Sequence, residues 1–175
     1  MSVSEGTLVA VVVFAAALLQ VTLVASLDLA GGSADVLLLA AVSIGLLRGA
    51  VVGTVAGFFG GLLVDVVTLD TLGVSALLYA LVGYWVGRYG DTTGRDRSHA
   101  LLVSVLVATL AIAYAGYGLH FVLGEEVSGR RVLVDALLPA LLLNLLLCRP
   151  VHGVCRAALG RSSGADRVTE VKLLG

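Results

Sequence analysis

Charged residues are scarce in this chain of 175 residues: 13% of them are Asp, Glu, Lys or Arg, whereas 59% are hydrophobic. Soluble domains carry about 25% charged and about 45–50% apolar residues, so the composition indicates an integral membrane protein. The mean hydropathy of +1.06 agrees with this assignment. The few basic residues form no patch interleaved with aromatic residues, so the sequence gives no support for nucleic-acid binding.

Cysteine, proline and catalytic patterns are also rare. The two cysteines, Cys148 and Cys155, stand beside basic residues and imply no disulfide framework. Together with His152 they follow an i, i+4, i+7 spacing, but Pro150 and Gly153 disturb a helix there and no fourth ligand is near, so we expect no metal site. The sequence has no Ser–His–Asp pattern, phosphate-binding loop or dinucleotide fingerprint. It therefore predicts neither an enzyme nor a cofactor.

Glycine, in contrast, is abundant, with 22 residues, and five of them recur at every fourth position from Gly45 to Gly61. In a soluble helix each would cost about 1 kcal/mol relative to alanine. In a bilayer the same spacing lets two helix backbones approach closely. We expect this row to pack within the bundle, with packing against a partner span as the alternative. The candidate packing or partner surface consists of Gly49, Gly53, Gly57, Gly60, Gly61 and Asp65.

The hydrophobic segments predict six membrane spans, since a span needs about 20 apolar residues. The first is interpreted as a retained helix and not as a cleaved secretory signal, because the residues before it lack Lys and Arg and include Glu5. The predicted spans are about 6–27, 36–47, 49–68, 72–89, 100–123 and 132–148.

The second and third spans depend on how the apolar segment 36–68 is divided. As one helix, its 33 residues would extend for about 50 Å, against a hydrocarbon core of about 30 Å. It would also place Arg48 near mid-membrane at a cost of about 3 kcal/mol. Two helices that turn at Arg48–Gly49 avoid both problems, although the first is short. The predicted fold is an all-α polytopic bundle of six, alternatively five, transmembrane helices.

The distribution of basic residues predicts the orientation. With six spans, one side holds nine Lys and Arg residues and the other holds only Arg130 and Arg131. Both termini are therefore expected in the cytoplasm; with five spans the N-terminus would lie outside. The bundle is predicted to occupy residues 1–152, followed by a basic cytoplasmic tail at 153–175. The nine residues are Arg48, Arg88, Arg95, Arg97, Arg149, Arg156, Arg161, Arg167 and Lys172.

Polar residues within the spans are candidates for function, because ionisable groups in a membrane are costly. Asp65 is expected either at the outer boundary, partly hydrated and paired with loop groups, or in a binding role for a partner helix or a ligand. The same alternatives apply to Asp135. The amides of Gln20 and Asn144 are expected to form hydrogen bonds across helices more readily than to contact a substrate. The candidate intramembrane polar contacts are Gln20, Arg48, Asp135 and Asn144.

The order of these features resembles the rod shape-determining membrane protein family MreD. Pro139 and Asn144 match a proline and an asparagine of the family's last helix, and Gln20 falls where the first helix often has a glutamine. Members often have proline where this chain has Ala34, and nothing after Gly153 matches. The densest likeness lies in Asp35-Val36-Leu37-Leu38-Leu39, Leu47-Arg48-Gly49, the glycines from Gly53 to Gly61 with Asp65, Leu72 to Tyr79, Gly83 and Gly87-Arg88.

This resemblance implies a non-enzymatic scaffold in the bacterial inner membrane. Its implied partners are an MreC-like single-span protein, a RodA-type peptidoglycan polymerase with its transpeptidase and, indirectly, the MreB cytoskeleton. The alternative is the substrate-binding membrane subunit of a vitamin or metal transporter, which MreD proteins resemble in architecture. That alternative requires a pocket in which polar side chains converge from several helices. The deep candidates for it are Gln20, Thr54, Ser75, Ser104, Thr109 and Asn144.

Overall fold

A computed structural model describes residues 3–26, 34–69, 71–93, 98–122 and 137–173, and every regular element in these ranges is an α-helix. The prediction of an all-α bundle with six helices is confirmed. The helices are α1 (Val3–Ser26), α2 (Val36–Arg48), α3 (Ala50–Thr68), α4 (Val74–Thr93), α5 (Ser98–Val122) and α6 (Leu137–Leu173).

The short helix α2 stands at the centre, and the other five form a ring around it. It contacts each of them, and the ring closes through contacts of α1 with α3, α3 with α4, α4 with α5, α5 with α6 and α6 with α1. All eleven residues from Val36 to Leu46 are buried. A helix that is apolar on all sides belongs in a core. The helix α2 is buried on all sides because the five neighbouring helices cover it.

A single residue separates α2 from α3. Gly49 has φ 90° and ψ 179°, a region essentially restricted to glycine. Its N–H donates to the Gly45 carbonyl at 2.8 Å, and its carbonyl accepts from the Gly53 N–H at 3.0 Å. The chain therefore ends one helix and starts the next within one residue. The single long helix of the five-span alternative does not form.

Within the described ranges, four helices contain segments long and apolar enough to cross a membrane. The helix α2 is apolar but shorter, and α4 has the length of a span but is less apolar. The last segment ends at Gly160, twelve residues beyond the predicted end at Cys148, because α6 continues through Pro150 and Gly153. The four segments are Glu5–Thr22, Ala50–Thr68, His99–Leu119 and Leu137–Gly160.

Candidate functional site

The first notable site is a polar cluster at the start of α2. With 13 residues, α2 is about 20 Å long, well short of a hydrocarbon core of about 30 Å. Its first turn, from Val36 to Leu39, is buried inside the ring of helices, so its free N–H groups need partners from the protein. The first four N–H groups of any helix lack partners within it, and in hydrocarbon each unsatisfied group costs several kcal/mol.

Side chains from three elements satisfy these groups. The N–H of Asp35 donates to Asn144 Oδ1 at 2.8 Å, and that of Val36 donates to Gln20 Oε1 at 2.6 Å. Asp35 itself is the N-cap, since its Oδ1 accepts from the Leu38 N–H at 2.8 Å. A carboxylate at this position also favours the positive end of the helix dipole. Three of the four N–H groups are thus paired by α1, α6 and the cap.

Two further hydroxyls hold the capping side chains in place. Tyr79 on α4 donates to Asp35 Oδ2 at 2.7 Å, and Asn144 Nδ2 donates to Thr109 Oγ1 on α5 at 3.2 Å. Gln20, Tyr79, Thr109 and Asn144 are all buried. Helices α1, α4, α5 and α6 therefore converge on the start of α2. We call Asp35, Gln20, Asn144, Tyr79 and Thr109 the polar hub.

The second site is the contact between α3 and α4, the most extensive in the bundle. An added Cβ would lie 2.6 Å from the Gly83 carbonyl oxygen at Gly53, and 2.6 Å from the Ala76 Cα at Gly61. At Gly57 it would collide with the backbone of Tyr79. These backbones touch directly, so only glycine fits. We call Gly53, Gly57, Gly61, Gly83 and Gly87 the glycine seam.

The remaining glycines of the predicted surface lie elsewhere. Gly49 forms the turn between α2 and α3. A Cβ at Gly60 would meet Leu37 Cδ1 at 2.7 Å and Val13 Cγ1 at 3.0 Å, so Gly60 faces α2 and α1. The predicted surface is therefore divided between two sides of α3, and α4 already occupies the seam side.

Asp65 closes the seam at the end of α3 and is 1% exposed. Its carboxylate accepts from the N–H groups of Gly73 at 2.8 Å, Ser75 at 3.3 Å and Ala76 at 3.4 Å. These groups belong to the cap and first turn of α4, so a carboxylate on one helix caps the next. Asp65 is therefore buried, and the partners of its carboxylate are backbone N–H groups of the neighbouring helix.

Arg48 lies at the opposite end of α2, where a cation favours the negative end of the helix dipole. It forms an ion pair with Glu5 of α1, and its Nη2 donates to the Leu159 carbonyl of α6 at 2.7 Å. Both ends of the central helix are thus joined to α1 and α6. Asp135, the remaining candidate, lies outside the described residues.

Several of these groups were missed as candidate site residues in the sequence. Asp35 precedes an apolar run and so carries the local signature of an N-cap, but it served only as part of the family likeness. Tyr79, Gly83 and Gly87 were likewise noted only as part of the family likeness. Nothing local to Glu5 indicates that it pairs with Arg48, 43 residues away.

Two cavities among the described residues are apolar grooves on the outside of the ring. One of about 420 Å³ lies between α4 and α5, with Ser104 among its lining residues, and one of about 700 Å³ lies between α1 and α3, with Thr7. Gln20, Thr109 and Asn144 were candidates for lining the pocket that the transporter alternative requires. They converge on the start of α2 and not on either groove. The described residues contain no group of three or more His, Cys, Asp or Glu that could hold a metal ion.

Comparison with known proteins identifies a family. The model of the family described as rod shape-determining protein MreD matches residues 3–156, which cover all of α1 to α5 and more than half of α6. No curated protein and no solved structure matches the chain.

Proposed function

This chain belongs to the MreD family of rod shape-determining proteins, and we propose that it acts as a non-enzymatic scaffold of the bacterial cell-elongation machinery. In this role it pairs with an MreC-like single-span protein. With that partner it supports peptidoglycan synthesis by a RodA-type polymerase and its transpeptidase, and it reaches MreB filaments indirectly. The single observation that carries the proposal is the family match over most of the chain.

The way the bundle uses its polar groups supports a scaffold. The hub residues and Asp65 either cap helices or hold the capping side chains in place, and Arg48 joins α2 to its neighbours. What the ring offers to its surroundings is mostly apolar side chains, which suit lipid and the spans of other proteins. Large exposed examples from each ring helix are Phe14, Phe59, Trp85, Val107 and Leu146.

The proposed location is the bacterial inner membrane, with several spans and with both termini in the cytoplasm. The excess of Lys and Arg on one side of the predicted spans supports this orientation, and it remains eight against two when Arg149 is left out of the count. The contact between Arg48 and Glu5 is consistent with it, because it places the start of α1 beside the end of α2. A reporter fused to the N-terminus tests the orientation directly.

The function is tested in a rod-shaped bacterium that carries this gene. We expect depletion of the protein to give rounded cells and the wild-type chain to restore rods. A tagged full chain should co-purify the MreC-like protein from solubilised membranes, with an unrelated six-span protein as control. Rod-shaped growth after depletion, together with no MreC-like protein in the purified sample, would contradict the proposal.

A further inference from the structure

The outward side of α6 carries a cation within its apolar segment. Arg149 lies inside the segment Leu137–Gly160, which is long and apolar enough to cross a membrane. Its side chain is exposed, whereas the neighbouring Cys148 is 1% exposed. The helix α6 therefore directs a guanidinium away from the bundle within an apolar segment.

Two contacts within the bundle give the depth of this residue. Asn144 is bonded to the start of α2, and Leu159 is bonded to Arg48 at its end. Along the axis of α6, Arg149 is therefore about 7.5 Å from Asn144, which marks the start of α2. It is about 15 Å from Leu159, which marks the end of α2. Side chains in a helix lean toward its N-terminus, which directs Arg149 away from the level of Arg48.

A charge in this position requires a partner. An arginine within a membrane helix is costly, and such residues almost always face the interior of a bundle or pair with another group. Arg149 faces outward, and within the described residues it takes part in no ion pair. The described residues of the bundle thus leave this guanidinium open to a counter-charge on a neighbouring molecule.

We propose that this face of α6 receives a membrane-spanning helix of another protein, which carries a carboxylate near its own midpoint. The inference rests on the proposed scaffold function. A guanidinium donates two parallel hydrogen bonds to a carboxylate, so the pair also fixes the depth of the partner helix. Exposed Leu142 and Leu146 extend the contact on one side of Arg149, and Gly153, where an added Cβ would meet nothing within 4 Å, extends it on the other.

A second copy of the chain does not supply this carboxylate from its described spans. Glu5 pairs with Arg48, Asp35 with Tyr79 and the Leu38 N–H, and Asp65 with the start of α4. Each of these acidic groups is engaged within its own bundle, and Asp91, the remaining one whose side chain is described, lies near the end of α4 and not at mid-span. Among the described residues no acidic group is therefore available at mid-span, and the charge on α6 favours a different chain that carries one there.

The test uses the full chain in phosphatidylcholine vesicles and a fluorescent leucine-rich transmembrane peptide with one central glutamate. Its matched control is the same peptide with a central leucine. We expect the wild-type chain to bind the glutamate peptide about tenfold more tightly, because a polar contact between membrane helices contributes about 1–2 kcal/mol. Arg149→Leu should abolish this preference, whereas Arg88→Leu, which removes an exposed arginine from α4, should retain it.

Two further measurements separate the role of the charge from folding and from lipid. Arg149→Glu should reverse the preference and favour a peptide with a central lysine, which a misfolded protein would not do. A glutamate preference that persists in Arg149→Leu would overturn the proposal. So would loss of the preference in wild type when phosphatidylglycerol is added, since lipid phosphate would then occupy the cation. Neither result bears on whether the MreC-like protein co-purifies.

Discussion

The glycine seam and the polar hub both join α4 to its neighbours, but they do so in opposite ways. The seam removes side chains so that two backbones meet, whereas the hub brings in side chains to satisfy backbone N–H groups. The seam involves two helices that follow one another in sequence, and the hub involves five of the six helices. Helices that follow one another in sequence are therefore joined by close backbone packing. Helices that are far apart in sequence are joined by hydrogen bonds, which hold the central helix in position.

The seam should be the more fragile of the two regions. Gly57→Leu places four carbon atoms against the backbone of Tyr79, where there is no flexible side chain to move aside. We expect a loss of stability at or above the upper end of the about 1–3 kcal/mol typical of overpacking. Thermal unfolding in detergent measures it. Gly118→Leu is the matched control, because an added Cβ there meets nothing within 4 Å; equal losses in the two variants would show that the seam is not special.

Substitutions in the hub should reduce the stability less than those in the seam, and their effects should not be additive. Asp35→Ala removes the acceptor for the Leu38 N–H and for Tyr79, and we expect a loss of about 2–3 kcal/mol from the lost cap and an unsatisfied buried hydroxyl. Tyr79→Phe removes one hydroxyl and should cost about 1 kcal/mol. Because the two groups share a bond, the double variant should lose less than the sum of the single losses. Strict additivity in denaturation curves would mean that the bond between them does not form.

The smallest effect is expected at the edge of the hub. Thr109 accepts a single bond from Asn144 at 3.2 Å, and it caps no helix itself. Thr109→Val keeps the shape of the side chain and should cost about 0.6 kcal/mol, the average for hydrogen bonds between membrane helices. Asn144→Leu, which also leaves the Asp35 N–H without an acceptor, should cost more. If the two variants unfold at the same temperature, the amide does not serve the start of α2.

The seam could be predicted from the sequence because its signal is periodic and local. Spacing of four places Gly53, Gly57 and Gly61 on one side of a helix, and the length of segment 36–68 divides it into two helices at Gly49. The same periodicity could not show which helix lies opposite. Nor could it exclude Gly60, which is adjacent in sequence to Gly61 but faces α1 and α2.

The hub could not be predicted from the sequence because its members are single polar residues far apart in the chain. Asn144 and Asp35 are 109 residues apart, and no spacing rule relates them. Gln20 and Asn144 were identified one at a time as groups that bond across helices. Their shared target follows only from the burial of the first turn of α2 inside the ring. The continuation of α6 to Leu173 could not be predicted for another reason: Arg149 and Pro150 are typical of the end of a span.

The central position of α2 also has a consequence for biosynthesis. The core of the bundle is the second helix to be made, yet the last helix supplies Asn144 at one of its ends and the Leu159 carbonyl at the other. Before α6 is made, the apolar helix α2 therefore lacks some of the hydrogen-bond partners of the polar groups at its two ends. Translation must reach residue 159 before the innermost helix has all the partners described above.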